Sequence, residues 1–159
     1  DSCALLYKDA RKGSIAHGQR GNYLDAVDKS SWNPSDFALH LTRRPRGLPL
    51  WFSLSVYGST AYAKAIKKTI QIANKIAIGI KKNKNLELIL GPQLTVILFR
   101  SKKLNDDEVN IWSEKYRRNG ALLCLPTTWK NIKVLRICVV NPNTDPSHVI
   151  KILKTLNLT

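Results

Sequence analysis

The chain has 159 residues, of which 43% are hydrophobic, and its 26 Lys and Arg against 11 Asp and Glu give a formal net charge of +15. This composition excludes a disordered tail, and the length allows one ordinary hydrophobic core or two small ones. The sequence contains no run of about 18 apolar residues, the length that a membrane span needs. Its three cysteines lack the spacing of a zinc site or a disulfide framework. We expect no membrane span, no metal site and a reducing, cytoplasmic location.

The N-terminal part begins with an apolar run over 3–8, which predicts a short buried strand. A strand so close to the first residue, in a sequence that opens at Asp1 and contains no methionine, indicates a piece of a longer polypeptide. Residues 9–34 have no sustained hydrophobic period and contain several Gly and Asn residues. We predict a long loop here, and loops longer than about 15 residues in compact domains are usually lids or linkers.

Two helices follow in the middle of the chain. The segment 48–57 is apolar nearly all round and predicts a short buried helix that ends at Gly58. Ser59 or Thr60 then caps an amphipathic helix that fades near Asn83. Six apolar residues at steps of three and four predict its inner face: Tyr62, Ile66, Ile70, Ala73, Ala77 and Ile80. The lysines of this segment predict its outer face: Lys64, Lys67, Lys68, Lys75, Lys81, Lys82 and Lys84.

The excess positive charge is concentrated in this helix and the residues that follow it. Residues 59–104 carry 10 basic and 1 acidic side chains, whereas 1–58 and 105–159 each carry 8 and 5. Such a positive charge is compatible with a nucleic-acid interface, because Lys and Arg side chains release counterions when they bind phosphates. A lysine face without arginine or aromatic residues reads nucleic acid poorly, since it offers no bidentate fork and no stacking surface. A solvated helix face is therefore favoured over a nucleic-acid site.

The C-terminal half alternates strands and helices. A Gly91-Pro92 turn separates two apolar strands over 86–90 and 94–100, and Asn105 caps a helix whose first turn is acidic. That helix ends at Asn119-Gly120, with an inward stripe of Val109, Trp112 and Tyr116.

Strands over 121–125 and 134–140 come next, and Asp145-Pro146 opens a final helix with four inward residues, Val149, Ile150, Leu153 and Leu156. The order predicts an α+β fold, with a small, mostly antiparallel sheet covered by helices on one face.

No complete active site is visible in the residues alone. His17, His40 and His148 lie in polar contexts without paired acids, which is typical of surface or capping histidines. Arg136 is the exception, because it interrupts an apolar strand on the same face as Val134 and Cys138. An unpaired buried guanidinium costs several kcal/mol, so Arg136 either faces solvent or binds an anion such as a carboxylate.

Three collinear stretches resemble one enzyme family. They are DSCALLYKD at 1–9, LTRRPRGLPLW at 41–51, and PTTW at 126–129 with VLRI at 134–137 and VNP at 140–142. Together they resemble the pyridoxal-phosphate-dependent group II amino-acid decarboxylases, the family of the aromatic-amino-acid and glutamate decarboxylases. The resemblance covers nearly the whole chain.

The resemblance implies the C-terminal part of a fold-type I enzyme. Residues 1–47 would end the large domain that binds pyridoxal 5'-phosphate (PLP), with a mobile catalytic loop at about 9–34, and 48–159 would form the small α+β domain. The lysine that holds PLP in this family would lie upstream, so the chain alone is expected to be inactive. Its implied partners are the rest of the parent polypeptide and a second subunit of a homodimer.

Two site residues follow from the same resemblance. Tyr23 aligns with the loop tyrosine that protonates the carbanion left when carbon dioxide departs. A phenylalanine there is associated with aldehyde formation, so Tyr23 implies simple decarboxylation of an L-amino acid to an amine. Arg136 aligns with a strand arginine that holds a substrate carboxylate. The alternatives are a basic nucleic-acid-binding module and a non-catalytic remnant with a structural role.

Overall fold

The computed structural model describes residues 5–18, 33–37 and 44–157. These residues belong to two compact units, Asp1–Gly58 and Ser59–Thr159. The functional division predicted at 47/48 stays a prediction, because a compact unit is defined by packing and a functional domain by its role.

The first unit begins without the predicted strand. Leu5, Leu6 and Tyr7 are irregular, and Leu6 is 89% exposed, so the prediction of a buried strand over 3–8 is wrong for these residues. A strand needs a neighbour to pair its backbone N–H and C=O groups. Among the described residues, all strands lie between 86 and 138, and none pairs with Leu5–Tyr7.

A helix, α1 (Ala10–His17), occupies part of the predicted loop. The Asp9 side chain caps it by accepting a hydrogen bond from the Arg11 backbone N–H at 3.1 Å. Gly13 is buried against the rings of Tyr7 and Phe37. A Cβ at this position would lie 2.9 Å from Tyr7 Cζ and 3.1 Å from Phe37 Cδ1, so the close contact requires glycine. A loop over all of 9–34 is therefore wrong for Ala10–His17, and hydrophobic periodicity missed this helix because its buried residue is a glycine.

The second helix, α2 (Gly47–Lys82), is interrupted at Gly58, whose φ of 75° and ψ of 158° are not helical. The predicted break between two helices is confirmed, since glycine adopts positive φ without a Cβ penalty. The burial predicted for 48–57 is wrong within this chain. Trp51 is 61% exposed and Phe52 is 63% exposed, and most of their apolar neighbours are exposed too. A helix that is apolar on all sides needs covering on all sides, and the described residues do not provide it.

Residues 59–82 of α2 begin the second unit and pack into its core. Ala73, Ala77 and Ile80 are buried as predicted, and the lysines are exposed. Ile66 is 56% exposed, however, whereas Ile72 and Ile76 are buried. Apolar residues occur on more than one side of this helix, and the position of the sheet decides which of them are covered.

The sheet has four strands in the order β1-β2-β4-β3, and all pairs are antiparallel. The strands are β1 (Leu86–Gln93), β2 (Val96–Ser101), β3 (Leu125–Trp129) and β4 (Ile132–Cys138). The predicted small antiparallel sheet is confirmed. Its strand boundaries differ from the prediction at the two hairpins.

The first hairpin turns at Leu94-Thr95, because Gln93 pairs with Val96 and Leu94 adopts a φ of 54°. Gly91-Pro92 is not the turn but lies inside β1, where the register with β2 shifts. Proline has no backbone N–H to donate to a neighbouring strand. It is tolerated there because β1 is an edge strand and the register shifts at this point.

The second hairpin turns at Lys130-Asn131, with φ values of 48° and 63°. Two consecutive positive φ values are typical of the two-residue turns that suit the twist of paired strands. Strand β3 starts at Leu125, which pairs with Arg136 on β4. The prediction of a strand over 121–125 is therefore wrong for 121–124.

The remaining helices, α3 (Asp106–Arg118) and α4 (Pro146–Lys154), begin where their caps predict. Asn105 Oδ1 accepts from the Glu108 N–H at 2.9 Å, and Glu108 Oε2 accepts from the Asn105 N–H at 2.8 Å. This reciprocal pair is a capping box. The helices α2, α3 and α4 cover one face of the sheet, where a core forms from residues such as Ile76, Phe99 and Leu153.

Candidate functional site

Arg136 lies in the middle of β4, on the sheet face opposite the helix-covered core. Its neighbours Leu135 and Ile137 belong to the core, so alternation directs Arg136 to the other side. The register places it between Leu98 on β2 and Leu125 on β3. Leu98 is only 4% exposed, whereas Arg136 itself is exposed.

A second arginine on this face has a partner. Arg100 donates from Nε to Glu87 Oε2 at 2.7 Å, across the β1–β2 pair. Arg136, by contrast, has no hydrogen-bond or ion-pair partner for its side chain in the described part of the chain. The planar guanidinium of Arg136 can therefore take a carboxylate in a bidentate geometry. Sequence reasoning overlooked the Arg100–Glu87 pair, although alternation along β2 places Arg100 on this face.

Tyr23, the predicted proton donor, lies outside the described residues. Its role therefore rests on the sequence, and of the two predicted site residues the structure positions Arg136. His40 also lies outside these residues, while His148 is exposed in the first turn of α4.

His17 and Tyr7 carry buried polar atoms in the first unit. Their rings meet edge to face at 6.4 Å, and neither His17 Nδ1 nor Tyr7 Oη has a hydrogen-bond partner among the described residues.

The two described cysteines differ in environment. Cys138 is exposed, whereas Cys124 is buried. Burial raises the pKa of the Cys124 thiol, because the thiolate loses its hydration. Cys124 is thus a neutral packing residue.

Over 5–18, 33–37 and 44–157, no group of three or more His, Cys, Asp or Glu side chains could hold a metal ion. Within the same ranges, each helix is too short or too polar to span a bilayer.

Every lysine in the described residues is exposed. A lysine that forms a Schiff base must be neutral, which burial or a neighbouring cation achieves by lowering its pKa. Exposure in this chain alone does not identify such a lysine, so the expectation that the PLP lysine lies upstream stays a prediction.

Comparisons with known proteins agree on one family. The family model described as "Pyridoxal-dependent decarboxylase conserved domain" matches residues 1–102. The chain is 28% identical over 128 residues to an aromatic-L-amino-acid decarboxylase of Bacillus atrophaeus, covering 76% of this chain and 27% of that protein. It is 25% identical over 162 residues to an L-2,4-diaminobutyrate decarboxylase of Acinetobacter baumannii, covering 96% of this chain and 32% of that protein.

A solved structure shares the fold. The Oryza sativa TDC solved with PLP and tryptamine superposes with a TM-score of 0.76 at 18% identity, covering 94% of this chain and 33% of that chain. This chain therefore spans about a third or less of the length of the proteins that it matches. Because the family model covers more than half of the chain, the protein belongs to the pyridoxal-dependent decarboxylases, whose cofactor is PLP.

Proposed function

We propose that this chain is the C-terminal portion of a PLP-dependent decarboxylase that removes the α-carboxylate of an L-amino acid to give an amine and carbon dioxide. In this proposal the chain contributes a lid tyrosine, Tyr23, and the small α+β domain with its carboxylate-binding Arg136. The remaining polypeptide supplies the lysine that holds PLP. PLP supplies the electron-withdrawing ring that makes loss of the carboxylate possible.

The observation that carries the proposal is the position of Arg136. It lies on an inner strand of the four-stranded sheet, on the face free of core helices, without an anionic partner among the described residues. A site built on strands holds its groups more precisely than one built on loops.

Tyr23 would act on the carbon atom that loses carbon dioxide. In the proposed role, its phenol O–H donates a proton to that carbon, and the lid keeps water out of the site at that moment. The placement of Tyr23 in a segment rich in Gly and Asn supports a lid.

The proposed partners are the parent's large domain and a second subunit of a homodimer. The support is the group of exposed apolar side chains in residues 48–57, including Trp51 and Phe52, because contiguous exposed apolar surface marks an interaction site. We further propose a cytoplasmic location.

The role of Arg136 is tested by substitution in the full-length protein. Arg136→Gln should raise KM for the amino acid and lower kcat/KM by about 10- to 100-fold, the range for losing a hydrogen bond to a charged group. Arg100→Gln is the matched control, because it removes an arginine from the same face whose partner is Glu87. Equal losses in both variants would show that the charge of this face, and not a specific contact, matters.

The role of Tyr23 is tested by Tyr23→Phe in the same protein, with amine and aldehyde products both quantified. Loss of a positioned proton donor should lower amine formation by roughly 10²- to 10⁴-fold, while PLP absorbance stays unchanged. An unchanged amine yield would contradict the proposed role. Reading the parent sequence for a His-Lys pair shortly before Asp1 separates the enzyme from the non-catalytic remnant.

A nucleic-acid function is the less favoured candidate. The exposed lysines of α2 support weak, salt-sensitive binding without sequence preference. Sub-micromolar, sequence-selective binding to duplex DNA or RNA at physiological salt would reverse this ranking.

A further inference from the structure

A groove in the second unit lies where the C-terminal ends of α2 and α4 approach the start of β1. Its volume is about 750 Å³, and Ile78, Ile150 and Leu153 contribute apolar lining. The two helices come close at Gly79, where a Cβ would lie 2.6 Å from Ile150 Cγ1 and Cδ1. This volume falls within the range of about 300–1,000 Å³ that is typical of small-molecule sites.

Four lysines also line this groove, which we name the lysine groove: Lys75, Lys82, Lys84 and Lys154. None of its described lining residues is Asp or Glu, and none of the four forms an ion pair with a described carboxylate. Positive charge is therefore concentrated beside an apolar surface without a counter-charge from the described residues.

The lysines are not fully explained by the helix ends nearby. Lys82 and Lys154 do lie in the last turns of α2 and α4, where cations offset the partial negative charge of the last carbonyls. That partial charge is roughly half an elementary charge per helix. Four cations around two helix ends thus leave an excess of positive charge, and Lys75 lies about two turns before the end of α2.

We propose that the lysine groove binds a small organic anion with an apolar body, such as a medium-chain carboxylate. The apolar residues would receive the hydrocarbon part, and the ammonium groups would hold the acid group at the rim. This site is separate from Arg136 and independent of the proposed decarboxylase function.

The lining residues favour this ligand over a nucleic acid. The lining contains neither an arginine, which would bind a phosphate in a bidentate fork, nor an aromatic ring on which a base could stack. Lysine is a compact point charge that accepts an anion from many directions, and it buries its methylene stem along apolar surface.

Titration calorimetry with octanoate, 1-octanol and acetate on the full-length protein tests the proposal. Octanoate has both the charge and the apolar body, while each of the other two has one of them. We expect 1:1 binding of octanoate that weakens as salt is raised, and at least tenfold weaker binding of 1-octanol and acetate. Equal binding of acetate, or of 1-octanol, would overturn the proposal, as would the absence of octanoate binding at millimolar concentration.

Two double variants on α2 locate the site. Lys75→Gln/Lys82→Gln removes two charges from the lysine groove, and Lys64→Gln/Lys67→Gln removes two exposed charges from the same helix outside it. The first should weaken octanoate binding by about five- to twentyfold, as expected for two partly solvated ion pairs, and the second by less than twofold.

An equal loss in both variants would assign the binding to the general charge of the chain and overturn the site. A competing DNA duplex gives a second check. The proposed site would also be overturned if the duplex displaced octanoate from the wild-type chain and from Lys64→Gln/Lys67→Gln but not from Lys75→Gln/Lys82→Gln. The occupant of the lysine groove would then be a polyanion.

Discussion

A single hydroxyl, that of Thr155, joins two helices of the second unit. Its proton is donated to the Ile152 carbonyl at 2.7 Å, so its oxygen is left to accept from Trp112 Nε1 at 2.9 Å and from Tyr116 Oη at 3.0 Å. This assignment uses the one donor and two acceptor positions that a threonine hydroxyl has. Thr155 therefore ties α3 to the end of α4.

We predict that Thr155→Val destabilises the chain by about 1–3 kcal/mol, because the Trp112 N–H and the Tyr116 hydroxyl lose a common acceptor. The measurement is the denaturant midpoint followed by tryptophan fluorescence at low micromolar concentration. Thr128→Val is the matched control, since Thr128 is exposed on β3, and it should change the stability by less than about 0.5 kcal/mol. Similar effects of the two variants would contradict this assignment.

Glu114 gives a pH-dependent contact at the end of α3. It accepts hydrogen bonds from Arg117 and Arg118, each at 2.7 Å, and these lower its pKa from 4.5 to about 2. The folded state thus favours the ionised carboxylate. The stabilisation is fully present above the unfolded pKa of about 4.5 and is lost as the pH falls towards 2.

We predict that carboxyl signals followed by NMR show Glu114 titrating near pH 2 in the native chain. In Arg117→Gln/Arg118→Gln, which removes both donors, the midpoint should return towards 4.5. An unchanged midpoint in that variant would show that other groups lower the pKa.

At the scale of elements, the contact between α2 and α4 depends on Gly79. A methyl group there would meet side-chain atoms of Ile150 at 2.6 Å, so Gly79→Ala forces the Ile150 side chain, or the helix that carries it, to move. Overpacking of this kind costs about 1–3 kcal/mol, while replacing glycine by alanine in a helix gains about 0.5–1 kcal/mol. We predict a net destabilisation of about 0.5–2 kcal/mol, measured by chemical denaturation.

The same substitution in an Ile150→Ala background reverses the sign of this prediction. The obstructing side-chain atoms are then gone, so the helix propensity gain remains and Gly79→Ala should stabilise by about 0.5–1 kcal/mol. If Gly79→Ala destabilised both backgrounds equally, the contact with Ile150 would not be its cause.

The elements differ in how far local sequence could predict them. Helix α3 was predicted with its cap and its end, because Asn105, Glu108 and Gly120 are local signals that act within a few residues. The turn of the first hairpin was misplaced, because Gly91-Pro92 is the stronger local signal but the pairing of β1 with β2 decides the register. The face occupied by Arg136 was predicted from alternation alone, which depends only on strand geometry.

At the scale of the whole molecule, the exposed apolar segment 48–57 has the largest consequence. Burying a Leu or Phe side chain gains about 1.5–3 kcal/mol, so several exposed together favour association. We predict that the 159-residue chain self-associates, with a sedimentation coefficient that rises over micromolar concentrations and with binding of a hydrophobic dye.

Trp51→Gln/Phe52→Gln should reduce this association strongly. Leu94→Gln/Ile111→Gln removes two exposed apolar side chains elsewhere and serves as the control. A wild-type chain that sediments as a monomer at all these concentrations would contradict the assignment of 48–57 as an interface.

The sequence by itself determined the α+β class, the capped helices α3 and α4 and the family, because caps, periodicity and collinear motifs are properties of neighbouring residues. Only the tertiary structure decided which arginine of the sheet face opposite the core lacks a partner among the described residues, since the Arg100–Glu87 contact joins residues thirteen positions apart. It likewise brought Lys75 and Lys154, from two helices far apart in the chain, to one groove. Long-range pairing and helix packing depend on the whole core, so no local pattern encodes them.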